Sequence, residues 1–235
     1  MRRTRGFTLV ELLVALFAMS LLAVLSWRGL DGMTRAQSIT EARADEVLTL
    51  QTGLAQWSAD LDAMEQLPGM KAIEWNGRVM RLTRRSSANL TDGLIVVAWT
   101  RRLVNSNAMW LRWQSAPVTT RGDLEQVWQQ ADRWSQGAGT DDLAREVAVT
   151  PLDDWQIFYF RENAWTNPQS SDETSASIAL KSRSAGSGPG PGVNTPPMPD
   201  AVRIVLRLPQ GQAVTGSITR DWVRPQLGAA RSPAS

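Results

Sequence analysis

Near the N-terminus stands Arg5-Gly6-Phe7-Thr8-Leu9-Val10-Glu11-Leu12-Leu13-Val14-Ala15-Leu16, the beginning of an apolar run that extends from Phe7 to Leu25. Glu11 is the only charged residue in this run. Its length, at about 1.5 Å per helical residue, crosses most of a hydrocarbon core roughly 30 Å thick. Because Arg2, Arg3 and Arg5 precede the run, we expect them to stay in the cytoplasm. The chain after Leu25 is then expected to lie on the other side of the membrane.

Glu11 is unusual inside such a span. A carboxylate near its start costs about 2.5 to 3.5 kcal/mol even on a lenient insertion scale, so it is expected to have a partner and a function. If the chain were cut between Gly6 and Phe7, the new α-amine would lie one helical turn before Glu11. The spacing therefore predicts a pair between Glu11 and a terminal amine, in the same chain or a neighbouring one.

These positions resemble the class III signal of type IV pilins and type II secretion pseudopilins: a short basic leader ending in Gly6, then Phe7, with Glu11 four residues later. The resemblance implies that a prepilin peptidase cuts after Gly6 and methylates Phe7. It also implies that Glu11 pairs with a terminal amine during assembly.

Two simpler interpretations compete with this one. An ordinary secretory signal peptide has a shorter apolar region and small residues at its cleavage site, which Ala23-Val24-Leu25-Ser26-Trp27 does not provide. A plain signal anchor explains the length and orientation of the span but leaves Glu11 without a role.

Composition excludes several classes of function. The net charge is +2 and arginine alternates with acidic residues beyond the leader, so no basic face predicts nucleic-acid binding. Cysteine is absent, so packing alone must hold the exported part. Histidine is also absent, which removes the commonest general base and zinc ligand. Eleven tryptophans are scattered along the chain, which favours core positions over a binding platform.

After the span, an amphipathic helix is predicted over residues 28–67. It has an apolar stripe with steps of three and four residues and polar neighbours such as Asp60, and Pro68-Gly69 is expected to stop it. Such a stripe suits a coiled-coil seam or, more favourably, a helix packed on its own sheet. The stripe comprises Val47, Leu50, Leu54, Trp57, Leu61 and Met64.

The remainder, residues 68–223, reads as a β-rich periplasmic domain, so the predicted fold class is α+β: a long N-terminal helix packed on antiparallel β-sheet, as in pseudopilins. Asn76-Gly77 predicts a type I′ hairpin turn between two strands. A strand from Leu124 to Gln130 is predicted to pair back through Arg121-Gly122-Asp123, a tripeptide that also resembles an integrin ligand. Further strands are predicted over 94–100, 109–114, 146–149, 155–160, 201–208 and 213–222.

Two segments depart from this pattern. Residues 182–199, rich in Gly, Pro and Ser, predict a flexible loop that is either an insertion or a contact segment ordering on assembly. Residues 224–235 predict a disordered tail.

Asp141-Asp142 and Asp153-Asp154 suggest a calcium site only if a loop curls around them, and the interpretation as solvated charges is favoured. No motif for catalysis, phosphate binding or a cofactor is found, so no enzyme is predicted.

The chain also resembles, more specifically, the J-type minor pseudopilin of type II secretion, through Trp27-Arg28-Gly29-Leu30-Asp31 and the strand from Ala201 to Leu208. That resemblance implies I-type and K-type minor pseudopilins, the major pseudopilin and the prepilin peptidase as partners in the cell inner membrane. Leu30, Met33 and Ile39 have no evident sheet to rest on and are candidates for partner contact. A minor pilin of a type IV pilus or DNA-uptake filament, and a signal-anchored periplasmic enzyme or binding module, remain alternatives.

Overall fold

The computed structural model describes residues 7–86, 93–169 and 198–225. The chain forms two units, Met1–Asp45 and Glu46–Ser235. The leader, most of the predicted loop at 182–199 and most of the predicted tail lie outside the described residues.

Helix α1 runs from Leu9 to Asp62. It therefore ends earlier than the predicted limit at residue 67, and Met64 already forms an isolated bridge to Arg84 of a strand. Within the second unit the predicted stripe is confirmed, because Leu50, Trp57 and Leu61 are buried in the core and Leu54 and Met64 pack against it. The helix lies on the chain's own sheets.

The buried part of α1, residues 50–61, packs against two antiparallel sheets. The first has the strand order β1-β2-β3-β4-β5. Its strands are β1 (Ile73–Trp75), β2 (Val79–Arg85), β3 (Leu94–Val104), β4 (Asn107–Gln114) and β5 (Glu146–Pro151). The second has the order β7-β6-β8-β9. Its strands are β6 (Asp154–Arg161), β7 (Ala164–Thr166), β8 (Ala201–Leu208) and β9 (Gly216–Val223). One apolar core joins residues of both sheets to α1, which confirms the α+β class.

The hairpin between β1 and β2 is confirmed, but the type I′ turn at Asn76-Gly77 is wrong. Only Gly77 has a positive φ, of 88°, and the Asn76 side chain accepts hydrogen bonds from the N–H groups of Arg78 and Val79. A type I′ turn needs positive φ at both central residues. That condition is met at Asn105-Ser106 and at Glu162-Asn163, where the turns β3–β4 and β6–β7 form.

The strand predicted from Leu124 to Gln130 is also wrong, because this segment is part of helix α2 (Arg121–Gln136). The Thr120 side chain caps its first turn by accepting a hydrogen bond from Asp123 N–H at 3.1 Å. Leu124, Ala131 and Trp134 follow a helical period and pack on the far face of the first sheet. The tripeptide 121–123 is thus the first turn of a helix. A short helix α3 (Thr140–Leu143) follows.

Tryptophan fills the core as expected, since eight of the eleven are buried. Helix α1 approaches the first sheet closely at Gly53. An added Cβ at this position would lie 2.2 Å from Val149 Cγ1 and 3.4 Å from Trp110 Cζ3. A helix residue without a side chain is needed there for the close approach.

Candidate functional site in the N-terminal segment and helix α1

Glu11 lies in the first turn of α1 and is hydrogen-bonded to Thr8. Its Oε2 accepts hydrogen bonds from Thr8 N–H at 3.1 Å and from Thr8 Oγ1 at 3.0 Å, and its own N–H donates to Thr8 Oγ1 at 3.3 Å. This reciprocal arrangement is a capping box, which satisfies helix donors that otherwise have no partner. The sequence analysis missed it, although Thr8 and Glu11 have the spacing of that motif. Glu11 therefore has a local structural role in addition to the predicted pairing.

The apolar side chains at the start of α1 are exposed in the described chain. Every large apolar side chain from Phe7 to Leu25 is at least half exposed. Among the described residues, α1 is the one helix that is long and apolar enough to cross a membrane, judged by length and composition. Gly6 lies outside the described residues, whereas Phe7 immediately precedes the helix cap. An apolar surface of this kind is expected to be covered by lipid or by other helices.

The candidate contact residues Leu30, Met33 and Ile39 are all exposed on α1. Met33 is 73% exposed and Ile39 is 57% exposed, so neither belongs to the intramolecular core. Because a helix turns about 100° per residue, six residues separate Met33 from Ile39 by roughly 120° around the axis. Leu30 and Met33 share a face, whereas Ile39 lies on a different one.

Asp60 is fully buried near the end of α1, although the sequence analysis placed it among the polar neighbours of the stripe. Its carboxylate accepts hydrogen bonds from Arg84 Nη1 at 2.6 Å, and from Arg112 Nη2 and Nε, both at 2.8 Å. Trp99 Nε1 and Gln56 Nε2 donate to it as well, both at 3.0 Å. Since Arg84, Trp99 and Arg112 come from β2, β3 and β4, this Asp60 cluster fixes α1 to the first sheet.

Two further contacts hold the same half of the helix. Glu46 Oε2 accepts a hydrogen bond from Ala213 N–H, and Asp62 Oδ1 accepts one from Trp222 Nε1, both at 2.7 Å. These reach the second sheet and the segment before β9. Polar residues beside the apolar stripe thus bind the strands and are not simply solvated.

A polar groove of about 810 Å³ lies between residues 69–74 and α2. In it, Arg81 donates hydrogen bonds to Glu74 and to the Trp128 carbonyl oxygen, and Lys71 contacts Glu74 at 2.6 Å. Burial raises the pKa of Glu74, but Lys71 and Arg81 outweigh it and hold that pKa below its usual value. The charged groups of the groove pair with one another, which is typical of a structural ion-pair network.

In the pair Asp141-Asp142, the second residue has a local structural role. Asp142 caps the turn that begins α3 by accepting a hydrogen bond from Gly139 N–H at 3.3 Å, and it also accepts one from Gln130. Among residues 7–86, 93–169 and 198–225, no group of three or more acidic, histidine or cysteine side chains is arranged to hold a metal ion.

Comparison with known proteins identifies a motif at the N-terminal end of the chain. Residues 1–27 match the family model described as the prokaryotic N-terminal methylation motif. No curated protein matches the chain. Among solved structures, the chain is similar to one in the crystal structure of the GspK-GspI-GspJ complex from the enterotoxigenic Escherichia coli type 2 secretion system. The identity is 16% and the TM-score 0.41, over 76% of this chain and 96% of that one.

Proposed function

We propose that this chain is a minor pseudopilin of the type II secretion system, of the J type, which assembles at the tip of a short periplasmic pseudopilus. The observation that carries the proposal is the methylation motif over residues 1–27, with Glu11 in the first turn of a long, exposed apolar helix. The J type is supported by the resemblance of residues 27–31 and of strand β8. The function is assembly and not catalysis.

Each part of the chain has its own location in this arrangement. Residues 1–6 form a cytoplasmic leader that a prepilin peptidase removes, and the first part of α1 spans the inner membrane once. The second unit, with its tryptophan-filled core, lies in the periplasm. Partners are the I-type and K-type minor pseudopilins and the major pseudopilin. An exposed apolar helix before a packed domain suits a subunit whose span is held by lipid first and by other helices after assembly.

The processing step is tested by the mass of the protein extracted from membranes. We expect the mature chain to begin at Phe7 and to carry one methyl group on its terminal amine. The matched control is the same chain in cells without an active prepilin peptidase, where Met1 to Gly6 should remain. A terminus at Met1, or one near Trp27, in cells with the active peptidase would contradict the pseudopilin assignment.

Partner contact through the exposed part of α1 is tested with residues 28–235, produced without the span. Changing Met33 and Ile39 together to aspartate should weaken binding to an I-type partner and leave the melting temperature unchanged, because both side chains are exposed. Each single change should be measured as well, since the two residues lie on different faces of the helix. Leucine at both positions is the control, because it keeps the apolar surface. A lowered melting temperature with unchanged binding would instead make them part of the domain's core.

A further inference from the structure

Trp27 differs from most tryptophans of the chain in its surroundings. Eight of the eleven are buried in the second unit, whereas Trp27 is 74% exposed on α1, just after the apolar run ends at Leu25. Helix α1 continues without interruption to Asp62, so the chain leaves the apolar run as a helix. Tryptophan combines a large apolar ring with a polar N–H, which suits a boundary between hydrocarbon and water.

Arg28, the next residue, is an exposed cation at the same boundary. Among the described residues it makes no ion pair, since Asp31, the nearest acidic residue along the chain, is paired with Arg35 at 3.1 Å. A guanidinium presents a planar set of donors that matches the oxygens of a phosphate. Arg28 is therefore available to an anion that the chain itself does not supply.

Helix geometry places both groups level with the end of the apolar run. The Cα atoms of Trp27 and Arg28 lie about 3 and 4.5 Å beyond that of Leu25 along the axis. Side chains on a helix lean toward its N-terminus, so the indole and the guanidinium extend back by a similar distance. From Leu9 to Trp27 the helix rises about 27 Å, close to the thickness of a hydrocarbon core of roughly 30 Å.

We propose that Trp27 and Arg28 form an anchor that binds phospholipid head groups at the C-terminal end of the span and sets the depth of α1 in the membrane. The indole occupies the layer between hydrocarbon and water, and the guanidinium donates hydrogen bonds to lipid phosphate. Lipid fits better than a partner helix, because interfaces between membrane helices favour small residues. The anchor rests on the proposed function, in which this part of α1 spans the inner membrane.

The same anchor determines how deep Glu11 lies. Glu11 is about 24 Å from Trp27 along the helix axis, which places it about one helical turn inside the opposite boundary. A shift of α1 by one turn would move the carboxylate either into water or farther into the hydrocarbon, where charge costs more. Trp27 and Arg28 are thus positioning residues for the pairing proposed for Glu11.

The test uses the full-length chain in phosphatidylcholine vesicles, where its lack of cysteine makes an introduced thiol unique. Ser26→Cys reports depth, because a maleimide reacts with the thiolate, which forms where water reaches the thiol. Leucine at both Trp27 and Arg28 prolongs the apolar run to Leu30 and should slow labelling of Ser26→Cys about tenfold or more. Tyrosine and lysine at the two positions keep an aromatic ring and a cation, so this matched control should label within about twofold of the parent.

A second comparison identifies phosphate as the ligand of Arg28. Arg28→Gln should slow labelling of Ser26→Cys about threefold or more in phosphatidylcholine, but not in digalactosyl diacylglycerol, a bilayer lipid without phosphate. Arg35→Gln is the control for loss of a cation. It should leave the rate unchanged in both lipids, because Arg35 lies about 10 Å farther along the helix and is paired with Asp31.

Met19→Cys separates the anchor from the span itself. Met19 is 67% exposed in the chain alone, so its protection in vesicles must come from lipid. If Met19→Cys is labelled as fast in vesicles as in denaturant, α1 does not span the membrane, and the anchor and the proposed function are both refuted. If Met19→Cys is protected while the double leucine variant leaves the labelling of Ser26→Cys unchanged, the anchor alone is refuted.

Two further results would overturn the choice of ligand. Equal slowing by Arg28→Gln in both lipids would show that the guanidinium does not bind phosphate. If the double leucine variant changes the labelling of Ser26→Cys only after an I-type pseudopilin is added to the vesicles, Trp27 and Arg28 contact a partner helix and not lipid.

Discussion

Asp60→Ala is expected to lower the free energy of unfolding of residues 28–235 by about 3 to 5 kcal/mol, because breaking a buried ion pair leaves charge without compensation. Asp60 is fully buried, and the guanidinium groups of Arg84 and Arg112 are almost completely enclosed. Removing Asp60 takes away the carboxylate that both of them bind. Urea unfolding followed by tryptophan fluorescence measures the change. The slope of the transition should stay the same, since the folded core remains.

Asp221→Ala is the matched control in the same domain. Asp221 receives two hydrogen bonds from Arg203, both at 2.7 Å, but the pair is partly exposed. Pairs of this kind contribute roughly 0 to 1 kcal/mol, so the effect should be several times smaller. A triple variant, Asp60→Leu with Arg84→Met and Arg112→Met, should recover most of the stability lost by Asp60→Ala. A loss below about 1 kcal/mol for Asp60→Ala would show that water reaches the Asp60 cluster.

Glu11→Gln is expected to reduce co-purification of this chain with partner pseudopilins about 30-fold or more, while the leader is still removed. The reason is that, if Glu11 pairs with the terminal amine of a neighbouring subunit as proposed, removing its charge leaves that amine without a partner in the assembled filament. Quantitative blotting of detergent-extracted complexes provides the measurement. Glu11→Gln separates charge pairing from helix capping, because glutamine also completes a capping box with Thr8.

Two other variants complete this comparison. Glu11→Ala removes both the charge and the cap, and Thr8→Val removes the hydroxyl of the cap but keeps the charge. If pairing between subunits dominates, Glu11→Gln and Glu11→Ala fail equally and Thr8→Val assembles. If Glu11→Gln assembles normally while Glu11→Ala fails, Glu11 acts through the capping box alone.

Several features followed directly from local sequence. The apolar run, the helical stripe from Val47 to Leu61 and the alternation in β8 and β9 carry their own periods, and the structure confirms these elements. Helix α2 was also locally encoded, through the Thr120 cap and the helical spacing of Leu124, Ala131 and Trp134. It was misread because Arg121-Gly122-Asp123 was treated as a turn, and turn residues also occur at helix starts.

The sequence by itself determined the membrane-type helix, its capping box and the segments that become helix or strand, because those depend on residues within about one or two turns of each other. Tertiary structure alone decided that Asp60 is buried, since Arg84 and Arg112, its compensating charges, are 24 and 52 residues away along the chain. It also divided the strands into two sheets and left β5 at an edge. Which residues neutralise a buried charge, and which strand lies at the edge of a sheet, are properties of the packed chain that short-range sequence periods do not determine.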